Sequence, residues 1–148
     1  MSKLTGLTMA NEMSWKECVD EKIIAKTVPD QERSNQIIQM ANLRLKFWDK
    51  NISDEFSVLK VEAYYDIIKE LIFAHLYKNG YNCANHLCLI AYLKEKMKDF
   101  DFEIQKIDEL RIVRNDINYR GLKIPKDYFE RNELEFKNII KRLKEQFE

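Results

Sequence analysis

The chain has 148 residues, with 25 Lys and Arg against 25 Asp and Glu, and it is 45% hydrophobic and 34% charged. This balance is typical of one soluble globular domain and excludes a wholly disordered chain, while the zero net charge excludes attraction to nucleic acid or membranes through a global field. The chain has only three glycines and two prolines, too few turn-forming residues for many hairpins. This favours long helices with short connections.

The N-terminal part predicts an arm that carries one short helix. Residues 1–13 show no hydrophobic periodicity. Ser14 and Glu17 have the spacing of a capping box, in which each side chain bonds the backbone N–H of the other residue. The helix that follows is expected to reach about Lys26 and to be stopped by Pro29.

Two longer helices are predicted next. Asp30 is expected to cap a helix that runs to about Lys50, because apolar residues recur there every three or four positions. Ser53 is expected to cap the following helix, over 54–79, whose apolar stripe is the widest of the chain. Such a stripe predicts a central place in a bundle. Gly80 has the position of the left-handed residue that ends this helix.

Capping signals also divide the C-terminal half into helices. Asn82 is expected to cap a fourth helix to about Lys98, a fifth runs from near Phe102 to Gly121, and Asp127 caps the last. No segment alternates as a strand would. The sequence therefore predicts an all-α fold, an up-and-down four- or five-helix bundle with an extra short N-terminal helix. Residues 1–29 form the arm, and residues 30–148 form the bundle.

A polar segment near the end of the fifth predicted helix contains the candidate ligand-binding residues. On a helix, Arg111, Asn115 and Asn118 fall within about 60° of one another, and Arg114 lies at the border of the apolar stripe. Tyr119 lies beside Asn115 on the same side. The arginine fork suits phosphate or carboxylate, and an asparagine offers a donor and an acceptor to a ribose or a base. The segment predicts a site for an anionic ligand.

The same residues also permit a purely structural interpretation. Arg114 can pair with Asp66 or Glu70 of the long helix, and Asn118 can cap the end of its own helix. Arginines are also stabilised near a helix C-terminus without any ligand, since that end carries partial negative charge. Both interpretations remain open at the level of the sequence.

The two histidines predict neither a metal site nor a catalytic pair. His75 lies within the long apolar helix and is expected to be a hydrogen-bonded core residue, and His86 is expected to fix the turn before the fourth helix. Neither has a second ligand three or four residues away, so no metal is expected. No glycine-rich phosphate loop or nucleophile elbow is present, which excludes kinases, Rossmann enzymes and serine hydrolases, and no cofactor is expected.

The cysteines predict buried thiols in a reducing compartment. Cys18, Cys83 and Cys88 are odd in number and contain no Cys-x-x-Cys pair, so neither a disulfide framework nor a zinc site is indicated. The N-terminus lacks the apolar segment of a signal peptide, and no run of apolar residues is long enough to span a membrane. A cytoplasmic location without membrane contact is expected.

The segment from Arg114 to Tyr119 resembles the signature of HEPN domains, an arginine followed four to six residues later by a histidine, with a polar residue often directly after the arginine. The context is also similar. A long helix from Val61 precedes a Gly80-Tyr81 turn, and a helix that contains Asn85-His86-Leu87 comes before the signature. The resemblance covers about residues 33–146.

The resemblance implies a helical bundle that forms a homodimer, with two signatures facing each other across a cleft. It also implies one of three functions. The first is binding of RNA or a nucleotide, as part of a toxin–antitoxin or defence system. The second is a metal-independent ribonuclease toxin, paired in some cases with a minimal nucleotidyltransferase. The third is a non-catalytic interaction module.

This chain departs from the family signature at one position, because Tyr119 stands where the histidine is expected. Histidine exchanges a proton near neutral pH, with an ordinary pKa of about 6.5, whereas that of tyrosine is about 10. Arg114 and Asn115 therefore carry over as ligand contacts, and a catalytic set of Arg114, Asn115 and Tyr119 is the hypothesis if the chain cleaves RNA. Tyr119 can also stack on a base, or serve as the tyrosine that a partner nucleotidyltransferase adenylylates in some toxins of this family.

Overall fold

The computed structural model describes residues 13–50, 53–85, 87–120, 125 and 127–147, without the side chains of residues 54 and 118–120. This part of the chain contains six α-helices and two short strands, which confirms the predicted all-α bundle with a short N-terminal helix. The helices are α1 Trp15–Asp20, α2 Gln31–Trp48, α3 Ser57–Lys78, α4 Leu87–Lys96, α5 Asp101–Arg120 and α6 Tyr128–Glu145. The strands are β1 Ile24–Lys26 and β2 Tyr81–Cys83, and a 3-10 turn spans Asp54–Phe56.

Helix α3 is the centre of the bundle, as its wide apolar stripe predicts. It contacts α2, α4, α5 and α6, and its buried side chains point in several directions. The largest of them are Tyr64, Ile67, Ile68, Leu71, Ile72 and Leu76. Each fully buried side chain of this size contributes about 1.5–3 kcal/mol through removal from water, so α3 dominates the stability of the bundle.

Three of the predicted helix boundaries are confirmed, two by capping bonds and one by backbone conformation. Ser14 Oγ accepts from the Glu17 N–H at 3.1 Å, and the Glu17 carboxylate accepts from the Ser14 N–H at 3.3 Å. Asp30 accepts from the Arg33 N–H at 2.9 Å. Gly80 follows α3 with φ of +78°, which glycine adopts at no steric cost.

The predicted end of the first helix and the absence of strands are both wrong. Helix α1 ends at Asp20, Lys22 takes a positive φ, and β1 then pairs antiparallel with β2. The end of α3 holds the two strands together, because the Gly80 carbonyl accepts a hydrogen bond from the Thr27 N–H at 2.7 Å. Strands of three residues are too short to show an alternating pattern, so this pairing depends on tertiary contacts that no local pattern reveals.

Two other predicted caps, Ser53 and Asn82, do not cap their helices, and Asp127 has the predicted N-cap position. Helix α3 begins only after the 3-10 turn, so Ser53 is not its cap and instead offers its carbonyl to the Phe56 N–H at 2.9 Å. Asn82 lies in β2, and Asn85 accepts the Cys88 N–H at the start of α4. Asp127 precedes α6 but makes no capping bond with its side chain. Gly121 lies outside the described residues.

The prediction of three reduced cysteines is wrong for two of them. Cys18 on α1 and Cys88 on α4 form a disulfide across 70 positions of sequence, with 5.9 Å between their Cα atoms, a separation typical of disulfides. Both are fully buried. Neither the odd count nor the spacing reveals this pair, because only the packing of α1 on α4 brings the two residues together. Cys83 remains a thiol, and burial raises its pKa.

The described part of the arm packs on the bundle. Ile24 is buried together with Cys18, and the Trp15 ring lies 6.0 Å from the ring of Tyr81 and 6.2 Å from that of Tyr92. Residues 13–26 thus share the hydrophobic core with α3 and α4. Within the described ranges, no helix has the length and apolarity that crossing a membrane requires.

Candidate functional site between helices α3 and α5

Helix α5 carries the predicted site and is buried along much of its length. Ile104, Ile107, Leu110 and Val113 are buried and Ile117 is partly buried, which confirms the predicted inward face. Helix α5 contacts both α3 and α4. Its polar side chains therefore emerge at the edges of these contacts, and the arginines emerge on the edge that faces α3.

Arg111 forms a closed and buried ion pair. Its Nε donates to the Asp108 carboxylate at 2.8 Å within the same helix, and its side chain is only 9% exposed. A charge-assisted hydrogen bond of this length is near the optimum. Arg111 thus already has a strong partner, and its burial leaves little of it for a ligand.

Arg114, one turn further along α5, forms an open ion pair. One terminal nitrogen lies 3.6 Å from Asp66 Oδ1 on α3, beyond hydrogen-bond length, and its side chain is 21% exposed. The guanidinium lies over the Tyr65 ring at 5.8 Å. The contact with Asp66 is the structural pairing that the sequence left open, and it is present as a loose electrostatic contact.

The Asp66 carboxylate lies between two cations. Its Oδ1 is 3.5 Å from Lys69 Nζ and 3.6 Å from a terminal nitrogen of Arg114. This oxygen accepts no hydrogen bond from any described group. We call the set Tyr65, Asp66, Lys69, Asp108, Arg111 and Arg114 the α3–α5 seam. The seam contains three cations and two carboxylates, and a further buried carboxylate, Asp116, follows Arg114 by two positions on α5.

Tyr65 supplies a neutral hydroxyl to the seam. Burial raises its pKa to about 12, although the nearby Arg111 and Arg114 cations act in the opposite direction. The phenol therefore stays protonated at neutral pH. It can donate or accept a hydrogen bond, and it supports Arg114, but it is not a base.

The remaining predicted site residues are described only in part. Asn115 is half-buried beside Arg114 on α5. Asn118 and Tyr119 continue the same helix, but their side chains lie outside the described residues. The structure thus brings Arg111 and Arg114 together on the edge of α5 and leaves the roles of the other three as predictions.

Comparison with protein-family models, curated proteins and solved structures finds no significant match. The resemblance to HEPN domains therefore stays a prediction.

Sequence reasoning missed three residues of the seam, which are Tyr65, Lys69 and Asp108. Asp108 and Arg111 stand three apart on α5, and Asp66 and Lys69 stand three apart on α3. This spacing places side chains side by side on a helix, so both pairs could have been found in the sequence. Nothing local signals Tyr65, because its role depends on α5 lying against α3.

His75 is a hydrogen-bonded core residue, as predicted. Its Nδ1 lies 2.7 Å from the Tyr92 hydroxyl, and its ring packs against the rings of Tyr92 and Phe147. Burial lowers its pKa to about 4. The imidazole is thus neutral at physiological pH and held by packing, far from the pKa that suits a general acid or base. His86 lies outside the described residues.

No metal centre is visible in the described part of the chain. There, no group of three or more His, Cys, Asp or Glu side chains is placed to hold an ion. The Asp108 carboxylate is committed to Arg111, and Asp66 faces two cations. Both carboxylates of the seam thus already face cationic side chains.

Proposed function

We propose that the chain is a HEPN-like helical-bundle protein that binds RNA or a nucleotide through phosphate, with Arg114 as the principal contact. The proposal rests on one observation, the difference between two arginines that lie one turn apart. Arg111 is closed on its carboxylate at 2.8 Å, and Arg114 is held 3.6 Å from its carboxylate.

This difference makes Arg114 the residue able to change partners. Charge-assisted bonds to carboxylates are normally about 2.7–2.9 Å long, so the contact of Arg114 with Asp66, at 3.6 Å, is the longer and weaker of the two ion pairs. Its position over the Tyr65 ring limits the entropy lost when it binds. The planar fork matches two phosphate oxygens.

Asp66 would keep a counter-ion when Arg114 turns to a ligand. Lys69 lies 3.5 Å from the same Asp66 oxygen, so binding does not leave the carboxylate without a cation. The Asp66 side chain is also 41% exposed, so solvent screens its charge and the exchange costs little. The seam therefore supports exchange of Arg114 between a protein carboxylate and a ligand phosphate.

The further parts of the proposal rest on the resemblance. In the arrangement that this resemblance implies, the site extends along α5 through Asn115, Asn118 and Tyr119. Tyr119 stacks on a base, and a second copy of the chain closes the cleft. A minimal nucleotidyltransferase, as in toxin–antitoxin pairs, is the protein partner to be tested.

Binding is favoured over cleavage by the protonation states of the described groups. The pKa of His75 is near 4 and that of Tyr65 is near 12, and neither suits proton transfer at neutral pH. The ribonuclease hypothesis depends on Tyr119, whose ordinary pKa of about 10 is also remote from neutrality.

A fluorescence-anisotropy titration with a labelled single-stranded RNA, and a calorimetric titration with ATP, test the proposal. We expect Arg114→Ala to weaken binding about tenfold or more, since a hydrogen bond to a charged group contributes about 1.5–3 kcal/mol. Arg131→Ala is the matched control, because Arg131 also pairs with an aspartate, at 3.1 Å, but on the exposed surface of α6. Binding should also weaken with salt.

Two outcomes would change the conclusion. No saturable binding of either ligand, or equal losses in the two variants, refutes phosphate binding at the seam. RNA that is cut in the presence of EDTA by the native chain, but not by Arg114→Ala, replaces the binding proposal with the ribonuclease. A helical circular-dichroism signal that is unchanged in both variants shows that the fold is intact.

The expected cytoplasmic location conflicts with one structural feature. Disulfides persist in oxidising compartments and are rare where glutathione keeps thiols reduced, and Cys18 and Cys88 form a buried disulfide. We therefore propose that the chain encounters oxidising conditions, which titration of its free thiols immediately after cell lysis in alkylating buffer tests. Three alkylated cysteines would refute this, and one would support it.

A further inference from the structure

A second surface, different from the α3–α5 seam, consists of apolar side chains on the outside of α2. Met40, Leu43 and Phe47 are 46%, 61% and 55% exposed. They stand three and four positions apart, within about 60° on one face of the helix. We call them the outer stripe of α2.

The outer stripe is not needed to attach α2 to the bundle. The opposite face of α2 already does so, because Ala41 and Ser34 are fully buried and Ile38, Leu45 and Trp48 pack on the core. The Ser34 hydroxyl donates to the Ala74 carbonyl at 2.8 Å. Two apolar faces on one helix, with one of them in water, indicate a surface for a partner.

The outer stripe lies between cationic side chains. Arg44 and Lys46 flank it on either side, and the Lys50 ammonium lies 5.2 Å from the Phe47 ring. The acid of α2 itself, Glu32, lies in its first turn, and Asp49, directly after the helix, accepts a hydrogen bond from Lys137 of α6 at 2.7 Å. The stripe is thus apolar in the middle and basic at both edges.

One edge continues into a basic groove between α2 and α6. The groove has a volume of about 510 Å³, its apolar floor includes Leu45 and Ile140, and Lys141 and Lys144 line it with one acid, Glu145. On the helix, Lys46 points between Phe47 of the stripe and Leu45 of the groove. Acidic side chains of a partner would find cations along the whole of this edge.

We propose that the outer stripe of α2 docks an amphipathic helix whose apolar residues are flanked by Asp and Glu, supplied by another protein. An apolar face that recurs every three to four residues is the complement of the stripe. Acidic flanks are the complement of Arg44, Lys46 and Lys50, and opposite charges across an interface set the choice of partner.

The charges argue against the other occupants. A symmetric pairing of two copies through this face would place the same patch opposite itself, so that Arg44 and Lys46 of both copies meet and repel. An in-plane membrane helix needs a broad apolar face. Here the exposed apolar surface of α2 is narrow, with Met40, Leu43 and Phe47 as its exposed large apolar side chains.

A display library of helical peptides tests the proposal. Their apolar positions are fixed at helical spacing, and their flanking positions are drawn equally from Glu, Lys, Gln and Ser. Peptides bound by the native chain should be enriched in Glu over Lys. Affinity of the selected peptides should fall about fivefold or more in Leu43→Ser and Phe47→Ser, which corresponds to about 1 kcal/mol for each lost apolar contact.

Leu134→Ser is the matched control, because Leu134 is an exposed leucine on α6 and away from the stripe. It should keep full affinity. All three positions are exposed, so the substitutions leave the fold intact.

Four results would overturn the proposal. These are a library without enrichment, enrichment in Lys, equal loss in the Leu134 control, and self-association or flotation with phosphatidylserine vesicles that disappears in Phe47→Ser. Retention of peptide binding in Arg114→Ala would show that this surface and the phosphate site are independent, so each can fail alone.

Discussion

Removal of the Cys18–Cys88 disulfide should cost much of the stability of this chain. A cross-link restricts the unfolded chain, and for the loop of 70 residues that it closes the chain-entropy relation gives about 4 kcal/mol at 25 °C. For a domain of this size each kcal/mol corresponds to about 2–4 °C in Tm, so the midpoint should fall by roughly 10 °C. Because the reduced chain unfolds to a more open state, its denaturant m-value should also rise.

The assay is urea unfolding followed by circular dichroism, with the native chain in its oxidised and reduced forms and with the Cys18→Ala/Cys88→Ala double variant. The disulfide is buried, so the reduced form is prepared by unfolding and refolding in reductant. Cys83→Ala is the control, since this half-buried thiol forms no disulfide. It should change stability little and should keep the full sensitivity to reductant.

Two results would refute this reasoning. If the native chain, denatured without reductant, titrates three free thiols, the bond is not formed. If the oxidised and reduced forms unfold at the same urea concentration, the bond forms but its loop does not constrain the unfolded ensemble.

Three further predictions concern stability. Arg111→Ala should destabilise the fold by about 3 kcal/mol because it leaves the buried Asp108 carboxylate without its cation, whereas Arg114→Ala should cost less, since its contact with Asp66 is longer and more exposed; equal urea midpoints would contradict this. Gly80→Ala should cost about 2 kcal/mol, because φ is positive and a Cβ would lie 2.7 Å from the Thr27 carbonyl oxygen; an unchanged midpoint would refute it. The folded pKa of His75, about 4, lies below its ordinary 6.5, so its protonation favours the unfolded chain and stability should fall as the pH drops from about 6.5 to 4. After a discount for partial exposure this amounts to about 1–2 kcal/mol, and His75→Gln should remove it; identical pH profiles of the two chains would exclude it.

Sequence periodicity was sufficient to place the longer helices, α2 to α6, and the inward face of α5. The apolar stripe of 54–79 correctly predicted a central helix, because a helix buried on several sides must be apolar on several sides. The capping residues Ser14, Asp30 and Gly80 were also correct. Their bonds or their backbone conformation involve neighbours in sequence, which a local pattern can reveal.

Features that depend on a second element could not be predicted in this way. The β1–β2 pair and the Cys18–Cys88 disulfide each join segments more than 50 positions apart, and a helical period carries no information about which neighbour a helix meets. Arg111 shows the same limit within the site. Its place on α5 was predicted, but not its burial against Asp108, which removes it from the set of exposed donors.

The stabilising contacts and the proposed phosphate site occupy different parts of α3. Gly80, the strand pair and the His75–Tyr92 contact all gather at the C-terminal end of this helix. Asp66, which faces Arg114, precedes His75 by nine residues, or about 14 Å along the helix axis. The disulfide reaches the same C-terminal region, since Cys88 and Tyr92 share α4. Loss of the disulfide should therefore lower the unfolding midpoint while leaving RNA or ATP affinity unchanged at temperatures where the chain is folded. An affinity that falls with the disulfide would show instead that the two regions are coupled through α3.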